Sequence, residues 1–127
     1  WISASPIPSP IMEEGWGGNG AGQTRGYYGP TKPMETGILD GITVVDMTQG
    51  ISGPFASLLL AHNGARVIKI EPPEGDYTRG WEPSFNGTSA VFFHLNRNKE
   101  GLHLDIKKTD DRTRLLGLLT EADIFIE

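Results

Sequence analysis

The positions whose residue types could do chemistry follow apolar runs. Asp46 stands near the end of ITVVDM, and the turn TQGISG comes next at residues 48 to 53. A carboxylate there is a candidate nucleophile. Glycines before a helix let a ligand approach the backbone, and the amides of a helix N-terminus attract a phosphate or carboxylate. The same turn also serves many α/β domains merely to reverse the chain, and both readings stand. A second charged and glycine-rich stretch, EPPEGDYTRG, follows the run VIKI; its Arg79 and Trp81 could border a site, or Arg79 could pair with Asp76. Lys107 heads a third stretch, KKTDD.

Other patterns point away from chemistry. His62, His94 and His103 share no ligand spacing and the chain has no cysteine, so no metal site is expected. Gly15, Gly17 and Gly20 satisfy G-x-G-x-x-G, but a Pro-Ser run precedes them where the dinucleotide fingerprint needs a strand. Asn86-Gly87-Thr88 fits a glycosylation sequon and is explained equally by an Asn-Gly turn.

The elements that must position these residues are legible from residue 38 onward. Residues 42 to 47 read as a strand, and Phe55, Leu58, Leu59 and His62 recur at helical spacing behind Pro54, which suits a first helical position. Asn63-Gly64 supplies a left-handed stop. Residues 66 to 71 form a second strand between breakers, LHLDIK a third, and ADIFIE a fourth. Before the fourth, a helix is expected with Thr109 as N-cap, Asp110 and Asp111 at the positive end of its dipole, and Leu115, Leu116, Leu118 and Leu119 as its apolar face. Strands joined through helices lie parallel, so the expected class is α/β with a Rossmann-like, mostly parallel sheet. In such sheets ligands bind beyond the carboxyl ends of the strands, where TQGISG, EPPEGDYTRG and KKTDD gather.

Composition bounds the rest. With 127 residues, 37% of them hydrophobic and 21% charged, the chain holds one small core at most. Residues 1 to 37 carry five of the nine prolines and eight of the seventeen glycines, and read as a linker or extended arm. Residues 38 to 127 carry the fold. A formal net charge of -5 argues against a nucleic-acid partner. No apolar stretch reaches the roughly 20 residues of a membrane helix and no segment reads as a secretion signal, so a cytoplasmic setting is expected.

The run LDGITVVDMTQGISGPFASLLLAHNGARVIKIEPPEGDYTRG, then NRNKEGLHLDIK, then ADIFIE, resembles the amino-terminal segment of the family III CoA-transferases, the CaiB/BaiF family. These include formyl-CoA and carnitine CoA-transferases and α-methylacyl-CoA racemase. The resemblance covers residues 38 to 127 and implies an incomplete CoA-binding domain of an enzyme whose partners are acyl-CoA and a carboxylic acid, with subunits interlocked as a homodimer. In the transferases a downstream aspartate attacks the thioester to form a mixed anhydride; the racemases place an acid-base pair downstream. No residue of this chain matches either, so the fragment by itself is expected to be inactive. The family keeps an acid at Asp46 without giving it the attack, which favours turn bonding.

Carried over by position, Ile51 and Ser52 line the CoA site, Pro72 stands where some members place a nucleotide-contacting arginine, and Leu104, Asp105, Ile106 and Lys107 match a segment beside the adenosine. Lys107 is the charged donor among them, suited to a phosphate as a point charge. Glu100-Gly101 departs from the family's usual Arg-Ser or Lys-Ser, a reversal of charge. Three readings follow: a CoA-transferase portion, a CoA-ester racemase portion, or a non-catalytic copy in a tandem protein with residues 1 to 37 as linker.

Overall fold

Val44 and Val45 are both wholly excluded from solvent, so the strand carrying them needs cover on both faces. In the computed structural model, which describes Ser5–Pro6 and residues 37 to 127, the cover is a helix on each side. The elements are β1 (Ser5–Pro6), β2 (Thr43–Asp46), α1 (Ser52–His62), β3 (Arg66–Glu71), a 3-10 turn (Tyr77–Gly80), β4 (Ser84–Phe85), β5 (Thr88–Ser89), α2 (Ala90–Asn96), β6 (Glu100–His103), α3 (Thr109–Glu121) and β7 (Ile124–Ile126). The main sheet has the order β1-β6-β3-β2-β7. Its β6–β3, β3–β2 and β2–β7 pairs are parallel and β1–β6 is antiparallel, which bears out the α/β, mostly parallel expectation.

The period of two along each strand divides the core. Val45, Ile68 and Ile70 pack on one face with Leu104 and Leu115, joined by Leu118 and Leu119 of α3. Val44 and Val67 pack on the other with Ala61 of α1 and Ala65. On that second face the strands also present Asp46, Lys69 and Glu71, each buried. Asp46 and Lys69 are register partners, so the two charges stand side by side.

Several boundaries differ from the sequence reading. Helix α1 begins at Ser52 and buries Pro54, Ser57, Leu58 and Ala61; Phe55 and Leu59 are half exposed and His62 is exposed. Its stop comes from Gly64 at φ +102, where an added Cβ would meet the Gly37 Cα at 2.7 Å. The third strand lies two residues earlier than LHLDIK. Its partner β3 ends at Glu71, whose carbonyl accepts the Leu104 amide, and beyond that point Asp105 turns the chain into α3. Lys108 rather than Thr109 is the N-cap, and Asp111 reaches back to the Asp105 amide at 3.0 Å. Leu116 points outward from α3.

The sequence pattern assigns no element between residues 81 and 99. The structure places there the β4–β5 hairpin, with Asn86 and Gly87 at φ 50 and 74 as the expected Asn-Gly turn, and the seven-residue α2 capped by Ser89. Of residues 1 to 37, read as linker or arm, Ser5–Pro6 pairs with Gly101 and Glu100 on the sheet edge, and residues 1 to 4 and 7 to 36 lie outside the described residues. Among the described residues no helix is long and apolar enough to cross a membrane.

Two outcomes follow from this packing. In a larger protein that carries this chain, Leu115→Ala costs about 2–5 kcal/mol in denaturant unfolding, whereas Leu116→Ala, on the same helix but outside the core, stays within about 0.5 kcal/mol. The outer edge of β7 has no partner among the described residues, and its Phe125 is half exposed. The 127-residue chain in isolation therefore self-associates through this edge, as light scattering will detect; a monodisperse monomer with a sharp melt contradicts this.

Candidate functional site

Because β2, β3 and β6 run parallel, the segments that follow them emerge at one edge of the sheet in the order β6, β3, β2. These are residues 104–108, 72–76 and 47–51. Strands β6 and β2 stand two spacings apart, about 10 Å, so one extended ligand can span all three segments. The turn after β2 is shaped by Gly50, at φ +81, where an added Cβ would run into the Tyr77 hydroxyl. That close approach sets the turn against the stretch following β3. Ile51 and Ser52 are both exposed, at the N-cap and first residue of α1.

Behind this edge lies a lattice of buried charges. One oxygen of Asp46 accepts the amide of Thr48, at 2.9 Å, and its hydroxyl; the other accepts the Ser57 hydroxyl and the Lys99 ammonium, the latter at 3.1 Å. Lys99 also donates to the Pro54 carbonyl and to Asn96 Oδ1, each at 2.9 Å. Lys69 donates to the Thr48 carbonyl at 2.7 Å and faces Asp76 Oδ2 at 3.0 Å, an ion contact without aligned hydrogen-bond geometry. The other Asp76 oxygen caps the 3-10 turn through the amide and hydroxyl of Thr78. Arg79 grips Glu71 with two bonds of 2.7 Å and lies over the Phe92 ring of α2. The loops after β2 and β3 are thereby tied to each other and to α2.

These contacts shift titrations in a consistent direction. Burial alone would raise the Asp46 carboxyl, but Lys99 and the hydroxyls of Ser57 and Thr48 outweigh it and hold the pKa below the ordinary aspartate range. Glu71 is likewise lowered against its burial by Arg79, the Asp76 amide and Lys69, and Asp76 by Thr78 and Lys69. Burial, with Lys69 adding repulsion, brings Lys99 down to about 8 despite Asp46.

The expected site residues separate into groups. Ile51, Ser52, Ile106 and Lys107 are exposed at the strand-end edge, and Pro72 is half buried where its carbonyl accepts the Gly75 amide at 2.8 Å. Leu104 has its side chain in the core, so it offers a ligand only backbone. Asp105 accepts the Lys107 amide at 3.2 Å and stands 3.8 Å from the Lys108 ammonium, shaping its own turn. Asp46 bonds its turn as expected. The pairing of Arg79 with Asp76 is corrected to Arg79 with Glu71, because Asp76 is committed to Thr78 and Lys69. Glu100 opens β6 and takes a two-pronged ion pair, both bonds 2.9 Å, from Arg66 at the start of β3. The reversed charge is thus answered within the chain, at the edge opposite the turn. Among the described residues no group of three or more His, Asp or Glu has metal-holding geometry. Gly15, Gly17 and Gly20 lie outside the described residues.

Lys69 and Lys99 were the residues that sequence reasoning passed over. A signal for Lys69 existed: a lysine between Ile68 and Ile70, with Glu71 two positions on, puts charge on one face of a strand whose other face is apolar. Nothing in NRNKEG marks Lys99 as buried.

The sequence pattern of CoA-transferase family III matches residues 39 to 127. The acetyl-CoA:oxalate CoA-transferase of Acetobacter aceti is 41% identical over 99 residues, covering 77% of this chain and 25% of that protein. The succinyl-CoA:glutarate CoA-transferase of Homo sapiens is 36% identical over 115 residues, covering 87% and 25%. The crystal structure of a CAIB/BAIF family protein from Brucella suis superposes with a TM-score of 0.69 at 37% identity, over 73% of this chain and 26% of that one. The chain spans about a quarter of the length of these relatives.

The lowered carboxyls give the stability a definite pH dependence. Asp46, Asp76 and Glu71 have folded values below their free values of 3.8, 3.8 and 4.5, so their contribution is complete above the free values and is lost as pH falls through the folded ones. In a full-length family member carrying this chain, the denaturant midpoint therefore drops as pH falls below about 4.5. Glu71→Gln lowers the midpoint at neutral pH and flattens this acid slope.

Proposed function

Because the chain belongs to CoA-transferase family III, we propose that it forms the amino-terminal, CoA-binding part of an enzyme that moves CoA from an acyl-CoA thioester to a carboxylic acid. The observation that carries the reading is the exposed Ile51-Ser52 turn at the start of α1, side by side with the segments after β3 and β6. The first amides of a helix have no intrahelical acceptor and the macrodipole adds positive potential there, so this end suits the phosphates of CoA. Lys107 supplies an exposed cation on the same edge. Pro72 has no charge to offer, and the contact there is apolar.

The reaction proposed for the whole enzyme runs through an aspartate supplied by another part of its sequence. That carboxylate attacks the thioester carbonyl, the CoA thiolate leaves, and an aspartyl-acyl anhydride forms. The thiolate then attacks the aspartyl carbonyl, releasing the donor acid and leaving an aspartyl-CoA thioester. The acceptor carboxylate attacks this thioester and expels thiolate to form a second anhydride; the thiolate then attacks the acceptor's acyl carbonyl, and the aspartate leaves regenerated. Asp46 does not fill this role: its carboxylate is fully buried and both oxygens are bonded. The oxalate and glutarate in the relatives' names suggest a dicarboxylic acceptor. The proposal includes the interlocked homodimer that the resemblance implies and the cytoplasmic setting expected from the sequence. A reversed charge at Glu100 would mark a non-catalytic copy that had lost binding; its pair with Arg66 supplies a structural account of the same residue.

Calorimetric titration of a full-length family member carrying this chain tests the reading. Ser52→Trp blocks the turn and abolishes CoA binding. Lys107→Glu weakens it by roughly 1–3 kcal/mol, the scale of a charged hydrogen bond, and by less at high salt because Lys107 is exposed. Glu100→Arg leaves affinity unchanged, since that residue sits at the other end of β6. Wild-type affinity in both Ser52→Trp and Lys107→Glu would show that these segments are scaffold.

A further inference from the structure

Lys99 is 3% exposed, touches no expected ligand position, and yet joins three elements. Its ammonium has three hydrogens and meets three acceptors: Asp46 Oδ2 at the end of β2, the Pro54 carbonyl in the first turn of α1, and Asn96 Oδ1 in the last turn of α2. The α1 contact falls two residues after Ser52. We propose that Lys99 is the positioning residue of the ligand turn, fastening the first turn of α1 to β2 and α2, and that removing one ammonium hydrogen loosens this turn and weakens CoA binding. The inference rests on the reading of Ile51 and Ser52 as CoA contacts.

The count of hydrogens gives the mechanism. A neutral amine has two hydrogens for the same three acceptors, so one contact is surrendered. Asp46 retains Thr48 and Ser57 and, as the charged acceptor, keeps the stronger bond. The neutral acceptors, Pro54 and Asn96, then compete for what remains, and α1 loses its tie to the strand edge or to α2. The charged groups acting on the ammonium are Asp46 from β2 and Asp76 from the loop after β3, which attract, and Lys69 from β3, which repels; the acceptors from α1 and α2 are neutral. Burial brings the proton's loss to about pH 8, within reach of experiment.

A purely structural lysine would behave differently. The folded value of about 8 lies below the free value of 10.5, so between these two the unfolded chain binds more protons, and this group makes global stability rise with pH. Ligand affinity falls across the same window if the turn loosens. Opposite trends in stability and affinity are therefore the signature of positioning.

The test uses a full-length family member carrying this chain, titrated with acetyl-CoA, whose blocked thiol does not itself ionise. Wild-type affinity stays level to about pH 8 and then falls, while Lys99→Met binds about ten-fold more weakly at neutral pH and shows only the pH dependence that ligand titration imposes on both proteins. Superimposable pH profiles for wild type and Lys99→Met would overturn the proposal. Hydrogen exchange in the wild type alone decides the matter if the variant does not fold. The Phe55 amide, bonded to the Ile51 carbonyl at 2.8 Å, loses protection between about pH 7 and 9 after correction for base catalysis, and the Ile70 amide in β3 does not. Unchanged protection at Phe55 overturns the proposal. Unchanged affinity in Ser52→Trp would instead remove CoA from the turn while leaving the exchange result to judge the lock.

Discussion

Two ammonium groups without solvent, Lys69 and Lys99, constrain this fold more than any apolar contact. A charge taken out of water is tolerated only when counter-charge and hydrogen bonds surround it. Lys69 finds Asp76 and the Thr48 carbonyl; Lys99 finds Asp46, Asn96 and the Pro54 carbonyl. Each partner comes from a different segment, so the loops after β2 and β3, the start of α1 and the end of α2 must all be in place together. Apolar burial can be shared among many arrangements of similar volume; this set of bonds admits one.

The lattice sits at the carboxyl ends of β2 and β3, directly behind the exposed turn. Under the proposed reading, that placement gives a structural requirement a functional consequence. A turn made of Gly50, Ile51, Ser52 and Gly53 has few side-chain contacts with which to hold its own shape: Gly50 sits at φ +81, and Gly53 lies against the Thr48 side chain, which leaves no room for a Cβ. The rigidity comes from behind, through Asp46 to Thr48 and Ser57 and through Lys99 to Pro54. The exposed turn can therefore stay open and small while remaining ordered.

Arg66 and Glu100 illustrate the contrast with surface electrostatics. Their pair is well formed but largely in water, where such pairs contribute little, and it lies at the amino edge of the sheet. Its consequence is local: it answers the acid at the start of β6 within the chain. The apolar residues left half exposed along α1, Ile51, Phe55 and Leu59, follow a four-residue spacing and form one stripe next to the turn.

The sequence by itself determined the alternation of strands and helices, because Val44, Val45, Val67, Ile68 and Ile70 between glycine and proline breakers leave little choice of local structure. It also determined that three glycine- or charge-rich segments share one edge, since parallel strands put all their carboxyl ends together. Asn86-Gly87 as a hairpin turn was readable from the pair itself, whereas Asp46 as a turn-bonding acid rested on the family resemblance. Only the tertiary structure decided where each element ends, because β6 stops where its partner β3 stops. It alone decided which leucines of α3 face inward, and that Arg79 takes Glu71 rather than its nearer neighbour Asp76. The burial of Lys99 was decided there as well: Asp46 lies 53 residues away in the chain, and no local pattern records which distant carboxylate a lysine will meet.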